Sequence, residues 1–158
     1  MVQQAVDVID YGGGNLGSLV RALERLGIPY RTKPGGSADA LPQGDRPIVL
    51  PGVGAFGSLM RELDARGHSL AIKEAVAQGA PFLGVCVGLQ VLFDSSEESP
   101  GIAGLGLLPG RVLRFAGEDA HGRRAKVPQI GWNWVEPKQD GWPGGYVYYV
   151  NSFYPRPE

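Results

Sequence analysis

Apolar residues come first as short runs of strand character, each followed by a stretch with helical spacing. Val6, Val8 and Ile9 form a short run that ends at Tyr11-Gly12-Gly13-Gly14-Asn15. Leu16, Leu19, Val20, Leu23 and Leu26 then recur every three or four residues, the spacing of one face of a helix. Asn15 is placed to cap that helix and Gly27 to stop it. Residues 29–32 predict a second strand, and residues 33–47 a Gly/Pro-rich loop with one short helical turn at 37–41. Ile48-Val49-Leu50 predicts a third strand, leading into Pro51-Gly52-Val53-Gly54. Phe56, Leu59, Met60 and Leu63 mark one helix, and Ile72, Ala75 and Val76 another. Phe82-Leu83-Gly84-Val85 is apolar throughout, as a parallel strand covered on both faces would be, and the pattern after Cys86 is helical through Phe93. Beyond Leu105 the helical spacing stops. Residues 111–115, 129–135 and 146–149 are β-prone runs separated by glycine and proline turns. The pattern predicts a βαβα parallel sheet flanked or extended by antiparallel strands.

Composition narrows the class. Fifteen basic residues against sixteen acidic ones leave a net charge of -1, without the basic surplus that phosphate backbones require. Nucleic acid is therefore not the expected partner. With 43% apolar residues and 20% charged, the chain can fill a core. Its 25 glycines and 13 prolines follow no fixed period and are expected in tight turns. No run approaches a membrane span, and Asp7 and Asp10 interrupt the N-terminal apolar stretch, so a soluble, cytoplasmic protein is expected. The lone cysteine, Cys86, excludes an internal disulfide and a multi-cysteine zinc site.

Two glycine loops offer chemistry, and a third feature chooses between them. Gly12-x-Gly14-x-x-Gly17 has the form of a dinucleotide fingerprint and lies between a strand and a helix. That fingerprint needs an acid some 20 residues on for the ribose. The sequence has Arg31, Thr32 and Lys33 there, so the loop reads as a plain strand-to-helix turn. Pro51-Gly52-Val53-Gly54 is either a turn or a row of N–H groups facing a developing negative charge. Gly84-Val85-Cys86-Val87-Gly88 has the form of a nucleophile elbow: the nucleophile sits on a strained strand-to-helix turn, and small residues two positions away on either side avoid backbone clash. A lone apolar-flanked cysteine is usually a structural thiol, but here the glycine pair favours a nucleophile. Helix N–H groups beside the sulfur favour thiolate. The Val87 N–H would form one half of an oxyanion hole and the Pro51–Gly54 loop the other.

These residues resemble a known family. Gly84-Val85-Cys86-Val87-Gly88-Leu89-Gln90 is similar to the nucleophile motif of class I glutamine amidotransferases. Asp10-Tyr11-Gly12-Gly13-Gly14-Asn15, Leu50-Pro51-Gly52-Val53-Gly54-Ala55-Phe56-Gly57, Ser96-Glu97-Glu98 and Val127-Pro128-Gln129-Ile130-Gly131-Trp132-Asn133 narrow the likeness to the glutaminase subunits of imidazole glycerol phosphate synthase, over essentially the whole chain. The resemblance implies a flavodoxin-like α/β open sheet with an antiparallel flank. It implies that Cys86 attacks the glutamine carboxamide and that ammonia passes to a (β/α)8-barrel cyclase partner in histidine biosynthesis. It also implies that Gly52, Gln90, Glu98, Ser152 and Phe153 line the glutamine pocket. Val53 and Val87 would supply the oxyanion N–H groups, and Asn15, Trp132 and Tyr148 would face the cyclase. No cofactor or metal is expected.

One departure stands against this agreement. The family completes its triad with a His-Pro-Glu motif downstream of the cysteine, and none occurs among the 72 residues after Cys86. His68, between Gly67 and Ser69, and His121, in a Gly/Arg-rich loop, are expected to be solvated. The chain therefore reads as a single amidotransferase domain, residues 1–158, that lacks the part carrying the triad's His and Glu. Two other readings remain open: a non-catalytic flavodoxin-like interaction module, and a cysteine-elbow hydrolase of another family.

Overall fold

A computed structural model describes residues 4–118, 121–138 and 143–158. Strand β1 (Val6–Ile9) leads into α1 (Leu16–Arg25) and β2 (Tyr30–Lys33), then β3 (Ile48–Gly52), α2 (Phe56–Ala65) and α3 (His68–Ala77). Strand β4 (Phe82–Cys86) runs directly into α4 (Val87–Gln90). These strands form one parallel sheet in the order β2-β1-β3-β4. The expected α/β fold, with a parallel sheet first and antiparallel strands after it, is what forms.

The sequence accounts for the local structure. Asn15 caps α1 by accepting the Ser18 N–H at 3.3 Å, and Gly27 follows at φ 67, where a side chain would be strained. Pro51 sits inside β3, yet β1 pairs only with Ile48 and Val49, so no ladder bond is lost. Val8, Ile9, Ile48, Leu50, Phe56, Leu59, Leu63 and Ile72 are fully or almost fully buried and belong to the core around the sheet.

Beyond β4 come the strands β5 (Ser95–Ser96), β6 (Gly110–Arg114), β7 (Gln129–Val135), β8 (Gly145–Asn151) and β9 (Phe153–Pro157). Two compact units result, residues 1–112 with 155–158, and residues 113–154. In the second unit β7 and β8 form an antiparallel ribbon, with Trp132 opposite Tyr148 and Trp134 opposite Tyr146.

Three sequence expectations change. The helix after Cys86 ends at Gln90, because the Leu105 N–H takes the Val91 carbonyl and the Leu107 N–H takes that of Leu92, so Val91–Phe93 is a turn. Strand β4 is not the centrally buried strand expected: among the described residues it pairs with β3 alone, which leaves it at the sheet edge with Leu83 57% and Val85 43% exposed. His68 is not solvated: it is the first residue of α3 and has no exposed surface. Gly67, at φ 77, turns the chain so that the imidazole points inward. His121 is exposed, as expected.

Candidate active site

The site grows out of the β3–β4 pairing. Their register sets Leu50 beside Gly84 and Gly52 beside Cys86, so the loop after β3 and the elbow after β4 emerge side by side. Only glycines allow this approach. A Cβ on Gly52 would lie 2.4 Å from the Gly88 nitrogen, and one on Gly84 2.4 Å from the Gly88 oxygen. A Cβ on Gly88 would lie 2.1 Å from the Leu50 oxygen, well inside any real contact. The glycine pair flanking the cysteine therefore has a steric cause, as the elbow pattern requires.

Cys86 closes β4 and opens α4 at φ 57, ψ -118, the one positive-φ residue other than glycine among the described residues. Such a conformation costs about 1–3 kcal/mol and persists only where its surroundings enforce it. The thiol is exposed and makes no disulfide. No side chain caps α4, so the N–H groups of its first turn lie next to the sulfur without a side-chain acceptor. Val87 and Gln90 are buried on this short helix.

The opposite wall is the Gly52–Ala55 loop. Gly52 is buried, Val53 is half exposed, and Gly54 turns the chain at φ 83. Immediately after it α2 begins, with no side-chain cap of its own. Glu98 supplies one from far along the chain: its Oε2 accepts the Phe56 N–H at 2.7 Å, and Ser99 Oγ accepts the Gly57 N–H at 2.9 Å. A carboxylate at a helix N-terminus is stabilised by the helix dipole. Glu98 is thereby fixed beside the loop that carries Val53.

Tyr11 is absent from the expected site residues, although it lies in the Asp10–Asn15 stretch that carries the resemblance, directly ahead of three glycines. It is 4% exposed, and its hydroxyl accepts the Val53 N–H at 3.2 Å. Its pKa is raised, chiefly by burial, with the Val53 hydrogen bond opposing and repulsion from Cys86 adding. The first unit thus brings together Cys86, Val87, Gly52, Val53, Gln90 and Glu98, and adds Tyr11. Asn15 lies exposed at the head of α1. Ser152 and Phe153 belong to the second unit, as do Trp132, 68% exposed, and Tyr148, 52% exposed. Among the described residues no group of three His, Cys, Asp or Glu is arranged to hold a metal, and no helix is long and apolar enough to cross a membrane.

Comparisons with known proteins agree with this geometry. A family model described as glutamine amidotransferase class-I matches residues 7–137. The imidazole glycerol phosphate synthase subunit HisH of Shouchella clausii is 46% identical over 158 residues, covering 97% of this chain and 75% of the relative. The subunit of the same name from Bacillus subtilis is 42% identical over 156 residues, covering 94% and 71%. That of Deinococcus radiodurans is 40% identical over 153 residues, covering 93% and 68%. A crystal structure of a glutamine amidotransferase matches with a TM-score of 0.64 at 20% identity, over 92% of this chain and 70% of that one, a likeness of fold. A strained cysteine elbow on this fold, with relatives so similar over nearly the whole chain, leaves one assignment: the chain belongs to the class-I glutamine amidotransferase family, among its HisH subunits.

Proposed function

We propose that this subunit hydrolyses glutamine to glutamate and ammonia and passes the ammonia to a (β/α)8-barrel cyclase, which uses it to make imidazole glycerol phosphate in histidine biosynthesis. The observation that carries the reading is Cys86, held at positive φ beside Gly52. The Cys86 thiolate attacks the carboxamide carbon, forming a tetrahedral intermediate whose oxyanion is stabilised by the N–H groups of Val53 and Val87. The C–N bond then breaks, ammonia leaves with an added proton, and the resulting thioester is hydrolysed to glutamate. Gly52, Gln90, Glu98, Ser152 and Phe153 bind the glutamine. Asn15, Trp132 and Tyr148 meet the cyclase.

Protonating the leaving ammonia and deprotonating the water require a base. His68 does not fit that role, because it is fully buried and its ring faces the Asp10 and Pro34 backbone. The relatives are longer than the matched region, which is 75% of the Shouchella clausii subunit. We assign the base and its orienting acid to the part of the family's length that this chain does not match.

The test is glutamate release by residues 1–158 with a cyclase subunit and its ligand, beside a version extended to the relatives' full length and a Cys86→Ala control. The extended protein should turn over and the short chain should fall at least about 10²-fold below it. Cys86-dependent turnover by the short chain at the extended protein's rate would overturn the assignment of the base. An extended protein unaffected by Cys86→Ala would overturn the nucleophile.

A further inference from the structure

His68 has no exposed surface, and the chemistry proposed above gives it no part. It follows Gly67, whose φ of 77 turns the chain between α2 and α3. The ring is directed at the ends of two strands, where it faces the backbone of Asp10 and of Pro34. Both contacts are with carbonyl groups. Pro34 has no N–H, and the Asp10 N–H is committed to the Lys33 carbonyl at 3.0 Å. A Cβ on Gly35 would lie 2.9 Å from Nε2, so the chain after β2 lies directly on the imidazole. The ring therefore ties the ends of β1 and β2 to the α2–α3 corner.

The same corner reaches the loop that follows β1. Arg66 Nη1 donates to the Pro34 carbonyl at 3.4 Å, and the Arg66 carbonyl accepts the Gly36 N–H at 3.0 Å. A Cβ on Gly12 would lie 2.5 Å from Arg66 Nη2, so the guanidinium lies against the first glycine of the loop. Asp10 joins the two contacts: its Oδ1 accepts the Gly12 N–H at 3.0 Å, while its carbonyl faces His68. Gly12 is followed at once by Gly13, Gly14 and Asn15, the residue assigned above to the cyclase surface. The seat of that loop and the seat of His68 are one arrangement.

We propose that His68 is a positioning residue for the cyclase interface: as a neutral ring in the α2–α3 corner it seats the Gly12–Asn15 loop, and on taking up a proton it leaves the corner and unseats the loop. The inference rests on the partner reading above and adds a titratable control to it. Burial opposes the charged ring most strongly. The carbonyls of Asp10 and Pro34 favour it, the Arg66 guanidinium opposes it and the Asp10 carboxylate favours it, and the balance holds the pKa below its ordinary 6.5. Of the other charged groups on these elements, Glu62 is paired with Arg66 at 3.4 Å and the Lys33 ammonium donates to the Asp39 carbonyl at 3.0 Å. A proton taken up in acid is therefore held by a conformer whose ring reaches water, and Gly67 is the pivot at which the ring turns out. The Asp10 carbonyl then loses its partner, and the loop two residues on loses its fixed base.

The test uses residues 1–158 with two variants that cannot titrate: His68→Leu, which fills the corner, and His68→Gln, which keeps a donor for one carbonyl. Cyclase binding is measured by titration calorimetry in steps from about pH 8 to about pH 5, with far-UV circular dichroism keeping the comparison to folded protein. Across this range the affinity of the parent should fall about two- to ten-fold more than that of either variant, because only the neutral fraction binds. His121 and the histidines of the cyclase titrate alike in all three proteins and cancel. In the free parent the backbone amide resonances of Gly12–Asn15 should move with the His68 ring resonances along one titration curve, and they should stay still in both variants. Equal pH profiles in parent and variants overturn the proposal, and so do loop amides that ignore the His68 titration. If both variants fail to fold, the loop and ring resonances of the parent decide alone. If no cyclase binds even at about pH 8, the partner reading fails, and the same resonances still show whether His68 governs the loop.

Discussion

Replacing Gly88 by alanine adds a single methyl group where the structure has no room for one. The new Cβ would stand 2.1 Å from the Leu50 carbonyl oxygen, against a closest tolerable approach of about 3 Å, and the obstacle is backbone, with no rotamer to turn aside. Strand β3 and the start of α4 must separate by about 1 Å. Overpacking of this kind costs about 1–3 kcal/mol, and the upper end applies where backbone must move. Alanine in a helix returns up to about 1 kcal/mol relative to glycine. The net loss is about 2 kcal/mol, which for a chain of this size lowers Tm by about 4–8 °C. The same displacement carries Cys86 away from Gly52 and Val53, and a 1 Å error at a reacting centre costs about 10²-fold in rate. Gly17→Ala is the matched control, because Gly17 lies in α1 with only the tip of Arg21 within 4 Å. It should raise Tm slightly. Thermal melting and the rate of Cys86 modification by a glutamine-derived chloroketone read both effects. Gly88→Ala melting at or above the parent, with Cys86 reacting at the parent rate, would refute the steric account of the elbow.

Cys86→Gly should abolish turnover and raise Tm by about 2–4 °C, because glycine relieves about 1–3 kcal/mol of strain at φ 57 and gives back about 1 kcal/mol in chain entropy; a lower Tm on melting would show that Cys86 is unstrained. Burial holds the pKa of His68 below its ordinary 6.5, so the unfolded chain binds the proton first as pH falls. The stability that His68 contributes is complete above about pH 6.5 and is lost as pH falls below it toward the folded value, so urea midpoints between about pH 8 and pH 5 should decline more steeply for the parent than for His68→Leu. Parallel curves would remove His68 from the acid sensitivity. Trp132→Ala should weaken cyclase binding by about 2 kcal/mol or more, measured by titration calorimetry, while Tm changes little, since the ring is 68% exposed and its main internal contact is one edge-to-face pairing with Tyr148 at 5.3 Å. Unfolding of the variant would make Trp132 a structural residue.

The first unit was legible in the sequence because local signals and tertiary structure agree there. Asn15 and Gly27 bound α1 by mechanisms that act within a few residues, and the strand of Phe82-Leu83-Gly84-Val85 carries its glycine for the close approach of Gly88. The elbow was visible because its steric demand is written two residues either side of Cys86. What escaped notice depends on residues distant in sequence. The expectation for His68 failed because a histidine between two helices looks like a turn residue, and only the left-handed Gly67 directs it inward. The Glu98 cap on α2 joins residues 42 positions apart, as does the Tyr11 bond to Val53. The end of α4 at Gln90 is set by carbonyls committed to residues 105–108, which no helical period can reveal.

The place of β4 in its sheet has a consequence for how the nucleophile is exposed. Among the described residues β4 pairs with β3 alone, and the parity that turns Pro81 toward β3 turns the backbones of Phe82, Gly84 and Cys86 outward. An open strand margin of this kind is a template for strand addition, and Leu83 and Val85 add exposed apolar side chains to it. Any segment that hydrogen-bonds along this margin meets the backbone of the cysteine itself. A strand added there would compete with substrate access, and loss of thiol reactivity with rising protein concentration would be the signature of that competition.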